Sequence, residues 1–547
     1  GEGHGEGHGE GHGEGSQMVD LAVSVMLLGS VAFHTSLFYL VNYDDPQMKR
    51  HSWAVLSATI SIFTSVLVFQ GISGLVKAVM DLLLRDSVSE DWELVIIVFV
   101  KYVQVFLWFF MLHFSIFKNA VSGSESATYA SMIDNKAWDD TTDSHTPDNE
   151  PKIRCWATLL AHMSAFATIS GGHGMQAMKV FTTFRVLNLV PVFLNMAFLF
   201  GLFSLSIAAR DWCIPDKDQN HQSEARSEKW DEVAEEAEND LAGLCLSFLL
   251  VQGIIFILTG SSGHSHESSG HHEVGHPIHV TVILLVVGIT FAAITVFMVW
   301  FQAHSDTVQT IEVQHDRIHA TDNFRKYLLR WYFIVQTLFA MSFAWCLLYV
   351  LNWELLRLLG ILGFTVNAHS TVFHTILALV VSFVAFAFIR ILDLIEDMEE
   401  TGEVADKCTR SMIESLAILI GFSWEHAFDG GVEVIADLTR EGGYWQPYLL
   451  KFTLAVLVAL VIAPAWRLYI LKIVLELDEI QREYRRENTV YNSDGRSRLS
   501  VTELEAVPRA DNRSDESPRG RRWYRVTSFF RWRREKGATG AAGIHPV

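Results

Sequence analysis

Residues 279–301 read HVTVILLVVGITFAAITVFMVWF, a run without a single Asp, Glu, Lys or Arg. An α-helix of about 20 apolar residues crosses about 30 Å of hydrocarbon, so this stretch alone is long enough to span a bilayer. Comparable blocks recur at roughly 19–41, 53–80, 93–117, 155–178, 186–208, 241–260, 327–351, 371–392, 411–431 and 448–475. All are expected to be helical, because an isolated strand leaves its backbone unsatisfied in lipid. Barrel strands would alternate over short segments, and these blocks do not. The composition agrees: of 547 residues, 50% are hydrophobic and 19% are charged, against about a quarter charged in soluble domains. The expected fold class is all-α, a polytopic transmembrane helical bundle of about eleven spans. The fourth and tenth spans are the most polar and contain glycines, which makes them candidates for re-entrant or broken helices.

Lysine and arginine are distributed unevenly between alternate loops, which orients the chain. With eleven spans and the C-terminus inside, the inner loops hold Lys49, Arg50, Lys118, Lys152, Arg154, Arg226, Arg325, Lys326, Lys407 and Arg410, among others. The outer loops hold Arg85, Lys179, Arg185, Arg357 and Arg440. This reading gives an extracytoplasmic Gly/His/Glu-rich arm (1–17), a first transmembrane bundle (18–210) and an acidic loop (211–240). A linker span and a second bundle follow (241–475), then a basic cytoplasmic tail (476–547).

An internal duplication is also legible. LAHMSAFATISGGHG (160–174) aligns with LAILIGFSWEHAFDG (416–430) at an offset of 256, with Leu, Ala, Phe and the last Gly matching. Two five-helix repeats joined by a linker span would follow, an arrangement found in transporters. Chance matching within apolar sequence is the plain alternative.

Ionisable residues within such spans need a partner or a wet cavity. Glu425, Asp429 and Glu433 recur every four residues and so share one helical face. Together with His426, and with His162 and His173 of the fourth span, they form the candidate ion pathway. The plain reading of the acidic stripe is a hydrated helix end; that of the glycine-flanked histidine is close helix packing. Gln70, Lys101, Gln104, His113, Asn188, Asn195, Gln252, Gln336 and the Arg390/Asp393 pair add further polar groups to the spans.

Outside the spans, GHSHESSGHHEVGHPIH (263–279) offers His264, His266, His271, His272 and His276 beside Glu267 and Glu273. Imidazole and carboxylate suit zinc or another divalent metal, although the glycines and serines fit an open collector or simply a solvated loop. In the tail, Arg521, Arg522, Trp523, Arg525, Trp532, Arg533 and Arg534 interleave charge with aromatic rings, a composition that suits anionic lipid headgroups.

Five scattered cysteines without a CxxC pair make neither a disulfide framework nor a thiolate metal site. There is no Walker loop, nucleophile elbow or HExxH motif, and the chain is not read as an enzyme. Nor is there a nucleic-acid-binding motif. The functional expectation is a channel or secondary transporter for a small cation, a proton or a divalent metal, with a homo-oligomer as the expected assembly. Two rival readings stand beside it. One is a membrane redox protein with b-type haem between pairs of His34, His113, His162 and His173; the other is a structural or receptor-like scaffold.

Overall fold

A computed structural model describes residues 11–43, 45–84, 89–133, 149–213, 221–260, 276–304, 323–364, 370–396, 402–437, 439 and 443–480. Every regular element among them is helical. In chain order they are α1 (Gly11–Val41), α2 (Pro46–Leu84), α3 (Glu90–Ile133), α4 (Asn149–Gln176) and the short α5 (Lys179–Thr182). A 3-10 turn (Arg185–Leu189) leads into α6 (Val190–Cys213), followed by α7 (His221–Thr259), α8 (Ile278–His304) and α9 (Asn323–Ile361). The last three are α10 (Thr371–Glu396), α11 (Gly402–Asp437) and α12 (Gln446–Ala465), which Trp466–Leu471 continues in wider π geometry.

Nine helices among the described residues are long and apolar enough to cross a membrane. They are α1, α2, α3, α6 with its 3-10 lead-in, α7, α8, α9, α10 and α12 with its continuation. The surface of the bundle agrees with this: Leu28, Phe110 and Leu460 are each about two thirds or more exposed, and large apolar side chains cover α3, α8 and α12 from the outside. A soluble monomer does not expose apolar surface on this scale. The protein is a multi-pass helical membrane protein.

Helices α4 and α11, the fourth and tenth blocks of the sequence, fall outside those nine because serines, glycines and charges dilute their apolarity. They are nonetheless well enclosed. Residues 161–169 of α4 and 415–425 of α11 are buried with little interruption. Each packs chiefly against its chain neighbour, α4 on α3 and α11 on α10; α4 also lies on α7, and α11 on α2.

Both helices run unbroken through their glycines, which corrects the expectation of broken helices. The glycines serve close approach instead. A Cβ on Gly172 would meet Leu249 of α7 at 2.5 Å, one on Gly174 would meet Val98 of α3 at 2.6 Å, and one on Gly421 would meet the Thr59 Cα of α2 at 3.1 Å.

The acidic segment expected as a loop is also corrected, being helical from His221 onward. Helix α7 has 39 residues, about 58 Å at 1.5 Å per residue, so it overruns the hydrocarbon thickness. Its apolar positions Trp230, Val233, Ala234, Ala237, Leu241, Leu244, Cys245 and Phe248 recur at three- and four-residue steps and are all buried. That stripe holds the acidic half against the bundle. Charges on its flank dock on α4: Arg154 pairs with Glu232 at 2.9 Å and with Glu236, and Lys229 Nζ donates to Glu150 at 3.3 Å.

Buried indoles fasten other helix pairs. Trp345 Nε1 of α9 donates to Ser247 of α7 at 3.1 Å. Trp424 Nε1 of α11 donates to Ser382 of α10, and Trp466 Nε1 to Ser57 of α2, both at 2.9 Å.

Candidate functional site

Two groups of ionisable side chains lie inside the bundle, on opposite sides of a layer of aromatic rings. The layer is centred on Phe422 of α11. Its ring stacks on Phe166 of α4 with centroids 6.2 Å apart, and meets Trp345 at 4.8 Å and Phe248 at 6.2 Å. Trp345 and Phe248 contact each other at 5.0 Å, and Phe166 reaches Phe69 of α2 at 6.4 Å. Helices α2, α4, α7, α9 and α11 thus all send rings to one level.

Beyond Phe422, one turn towards the C-terminal end of α11, lies Glu425. Its side chain is fully buried, and Oε2 sits 3.3 Å from His426 Nδ1. Glu425 Oε1 accepts no hydrogen bond among the described residues. The imidazole of His426 packs on Phe422 at 4.4 Å and meets the His374 ring of α10 at 5.9 Å. One further turn on, Asp429 pairs with Lys451 of α12 at 2.6 Å, and Glu433 is exposed. The four-residue spacing therefore describes a gradient along one face. Glu425 is dry, Asp429 is neutralised by an ammonium group, and Glu433 is open.

On the other side of the layer is a site that the sequence reading did not include. Glu238 of α7 is fully buried and bound through both oxygens. Oε1 accepts from Ser206 of α6 at 2.6 Å and lies 3.2 Å from His113 Nε2 of α3. Oε2 accepts from Arg330 Nη2 of α9 at 2.5 Å. Arg330 Nε donates to Asn239 at 3.0 Å, and its guanidinium lies over the Phe203 ring at 5.0 Å. Arg210 of α6, also buried, is within electrostatic range of the same carboxylate and sits 3.3 Å from Asp231.

Helices α7 and α11 run in the same direction, since Glu236 and Asp240 neighbour Glu414 while Phe248 meets Phe422. Ten residues separate Glu238 from Phe248 and three separate Phe422 from Glu425, so the two carboxylates are displaced by about 20 Å along the helix axes.

The sequence passed over Glu238 because it lies within EEAEND, a run whose charge density reads as solvated loop. The signal that finds it is the apolar stripe named above. Glu238 follows Ala234 by four residues and precedes Leu241 by three, and so occupies a core position of an amphipathic helix.

The other expected residues are distributed as follows. His162 is buried on α4, and its Nδ1 has no hydrogen-bond partner among the described residues. His173 is half-buried near the far end of the same helix. Of the histidines considered for haem, His113 belongs to the Glu238 cluster and His34 Nδ1 contacts the Ser30 carbonyl of its own helix at 2.7 Å. Arg390 and Asp393 do form an ion pair on α10.

In the histidine-rich segment, His264, His266, His271 and His272 lie outside the described residues. His276 is described; its ring packs on Trp353 at 4.5 Å and its carbonyl accepts from Arg357 at 2.8 Å. The basic tail from 481 on, including Arg521 to Arg534, also lies outside the described residues. Among the described residues no group of three or more His, Cys, Asp or Glu side chains is placed to hold a metal ion. Comparison with known protein families, with characterised proteins and with solved structures finds no match.

Proposed function

We propose that this protein is a channel or secondary transporter for a small cation, with Glu425 as the carboxylate that receives it. The observation that carries the reading is the burial of Glu425 beside His426 with one oxygen unpartnered. A carboxylate without water or donors is costly to keep charged, and a proton or small cation relieves that cost. Asp429 and Lys451 form the entry to this site from the open end of α11.

The finer architecture belongs to the same proposal. Helices α4 and α11 complete eleven spans, with the N-terminus outside and the C-terminal tail inside. The α4 and α11 segments are cores of two parallel five-helix repeats joined by α7. Support comes from the offset of 256, which relates Phe166 to Phe422 and also the first residues of α6 and α12, Val190 and Gln446. The histidine-rich segment collects zinc or a similar ion on the outer side, and the basic tail holds anionic lipid on the inner side.

The test is flux into proteoliposomes, with protons, potassium, calcium and zinc supplied in turn. Glu425→Gln keeps the size of the side chain and removes its charge, so it should reduce flux or alter selectivity while leaving expression intact. Asp429→Asn should act in the same direction and non-additively, since both contribute to one site. Unchanged flux in both variants would reduce the acidic stripe to a structural role.

A further inference from the structure

Among the described residues three carboxylates are fully buried, Glu238, Asp393 and Glu425. The first two are each paired with a guanidinium, from Arg330 and from Arg390. Glu425 is paired instead with an imidazole, His426 Nδ1 lying 3.3 Å from Oε2, and neither of its oxygens accepts a hydrogen bond among the described residues. A guanidinium is always charged and holds its carboxylate ionised, whereas an imidazole changes charge near neutrality. In a dry site a neutral acid beside a neutral base costs less than two separated charges.

The surroundings select the occupant. A metal ion gives up its water only for other donors, about four for zinc and about six to eight for calcium. Glu425 and His426 supply two side chains, and Asp429, one turn on, is already neutralised by Lys451 at 2.6 Å. The helices around this stretch of α11 bring rings to it. Phe33 of α1 meets Trp424 at 4.7 Å, Phe63 of α2 meets Phe428 at 5.1 Å, and Trp345 of α9 meets Phe422 at 4.8 Å. Helix α8 has no ionisable residue between His279 and His304. The titratable and charged groups facing the pair are therefore His374 of α10, whose ring meets His426 at 5.9 Å, and the Asp429–Lys451 pair. A proton needs neither a cavity nor a ligand shell; one oxygen lone pair holds it.

We propose that the cation received by Glu425 is a proton, held as Glu425 Oε2–H donating to His426 Nδ1, and that His426 exchanges it with solvent. The His426 side chain is 34% exposed while that of Glu425 is fully enclosed, so the imidazole is the member of the pair that water reaches. On release the proton passes from Oε2 to Nδ1, and the imidazolium sheds its Nε2 proton to water. On uptake a proton from water adds to Nε2, and the Nδ1 proton returns to the carboxylate. This rests on the reading of Glu425 as the receiving group and narrows its cation to one.

Infrared difference spectra of the purified full chain in detergent micelles, taken across pH, read the carbonyl stretch that a carboxyl group shows only when protonated. The wild type should show such a band, sensitive to heavy water, lost as pH rises and lost outright in Glu425→Gln. His426→Leu leaves the carboxyl and removes its acceptor, so the band should persist and move to higher frequency; this arm identifies the band even if Glu425→Gln fails to fold. The proposal is overturned by the absence of any band that depends on Glu425. It is equally overturned by a band that potassium, calcium or zinc abolishes at constant pH, or by a frequency indifferent to His426→Leu. Flux into proteoliposomes is a separate readout. No flux of any ion, with these bands intact, would sink the transporter reading and support the proton site. Zinc or calcium flux without a Glu425 band would do the reverse.

Discussion

Phe166 of α4 and Phe422 of α11 stack with ring planes 6° apart, and they hold the same place in two segments offset by 256 residues. When a residue touches its own counterpart, it lies close to the axis relating the two copies, as self-complementary contacts do in a two-fold dimer. Under the proposed duplication, the pair would lie at the centre of the bundle. It also occupies the aromatic layer between Glu425 and Glu238.

Truncating either ring should be costly. Phe166→Ala and Phe422→Ala should each lose roughly 3–5 kcal/mol through lost burial and a residual cavity. Because the rings contact each other, the double variant should lose less than the sum. Unfolding of the purified variants in a graded denaturant measures all three. Strictly additive losses would mean that the two phenylalanines pack independently and that their stacking carries no coupling.

Gly172 and Gly201 make a second comparison, between two glycines in helices. A Cβ at Gly172 would come within 2.5 Å of Leu249 and 3.0 Å of Asn195, whereas nothing lies within 4 Å of one at Gly201. Gly172→Ala should therefore destabilise by about 1–3 kcal/mol from overpacking. Gly201→Ala should be neutral or stabilising by up to about 1 kcal/mol, the intrinsic helix preference of alanine. Melting temperatures that rank the two variants in the reverse order would contradict the close approach of α4 and α7.

How much of this was legible beforehand depended on how local the physics is. Apolar run length revealed the nine strongly hydrophobic helices, since crossing lipid is a property of a single segment. The same rule ranked α4 and α11 lowest, because helices sheltered by other helices can carry Ser164, Thr168, Ser423 and Glu425 in place of lipid-facing side chains. Their glycines looked like breaks, since a sequence does not reveal whether a missing Cβ leaves room for Thr59 or weakens a turn. Glu425 was singled out from spacing alone. Glu238 was not, because its partners Ser206, His113 and Arg330 are 32, 125 and 92 positions away along the chain. Pairing over such distances leaves no local trace.

The proposed orientation has a direct check. Single cysteines introduced between 263 and 275 should react with an impermeant maleimide in intact cells, and those between 490 and 540 only after permeabilisation. This follows from the lysine and arginine bias between alternate loops. The opposite labelling pattern would reverse the orientation, and labelling of both regions from the same side would overturn the eleven-span order.

The tail prediction is electrostatic. A peptide covering 515–540 should bind anionic vesicles, and replacing Arg521, Arg522, Arg525, Arg533 and Arg534 by Gln should weaken that binding by about 1 kcal/mol for each charge removed. Vesicle co-sedimentation reads it. Equal binding of the parent peptide to neutral vesicles would leave Trp523 and Trp532 as the anchor and remove the charge argument.

The last prediction concerns the asymmetry of the Glu238 cluster. Arg330→Gln removes one of two guanidinium groups near Glu238, and the carboxylate keeps Ser206, His113 and the field of Arg210. Glu238→Gln instead removes the only fully buried carboxylate among them, and leaves Arg330 with Asn239 and Arg210 with Asp231. Breaking a buried pair by deleting one partner costs about 3–5 kcal/mol, most of it from the charge left behind. Glu238 serves both guanidinium groups, whereas Arg330 serves one carboxylate. Glu238→Gln should therefore fall at or above that range and Arg330→Gln at its lower end. Replacing Glu238 and Arg330 together should recover part of the loss, since the double variant strands no guanidinium beyond Arg210, which retains Asp231 at 3.3 Å. Denaturant titration of the three proteins decides the matter. If Arg330→Gln proves the costlier change, or if the double variant equals the sum of the singles, then Glu238 is not the hub that joins α3, α6, α7 and α9.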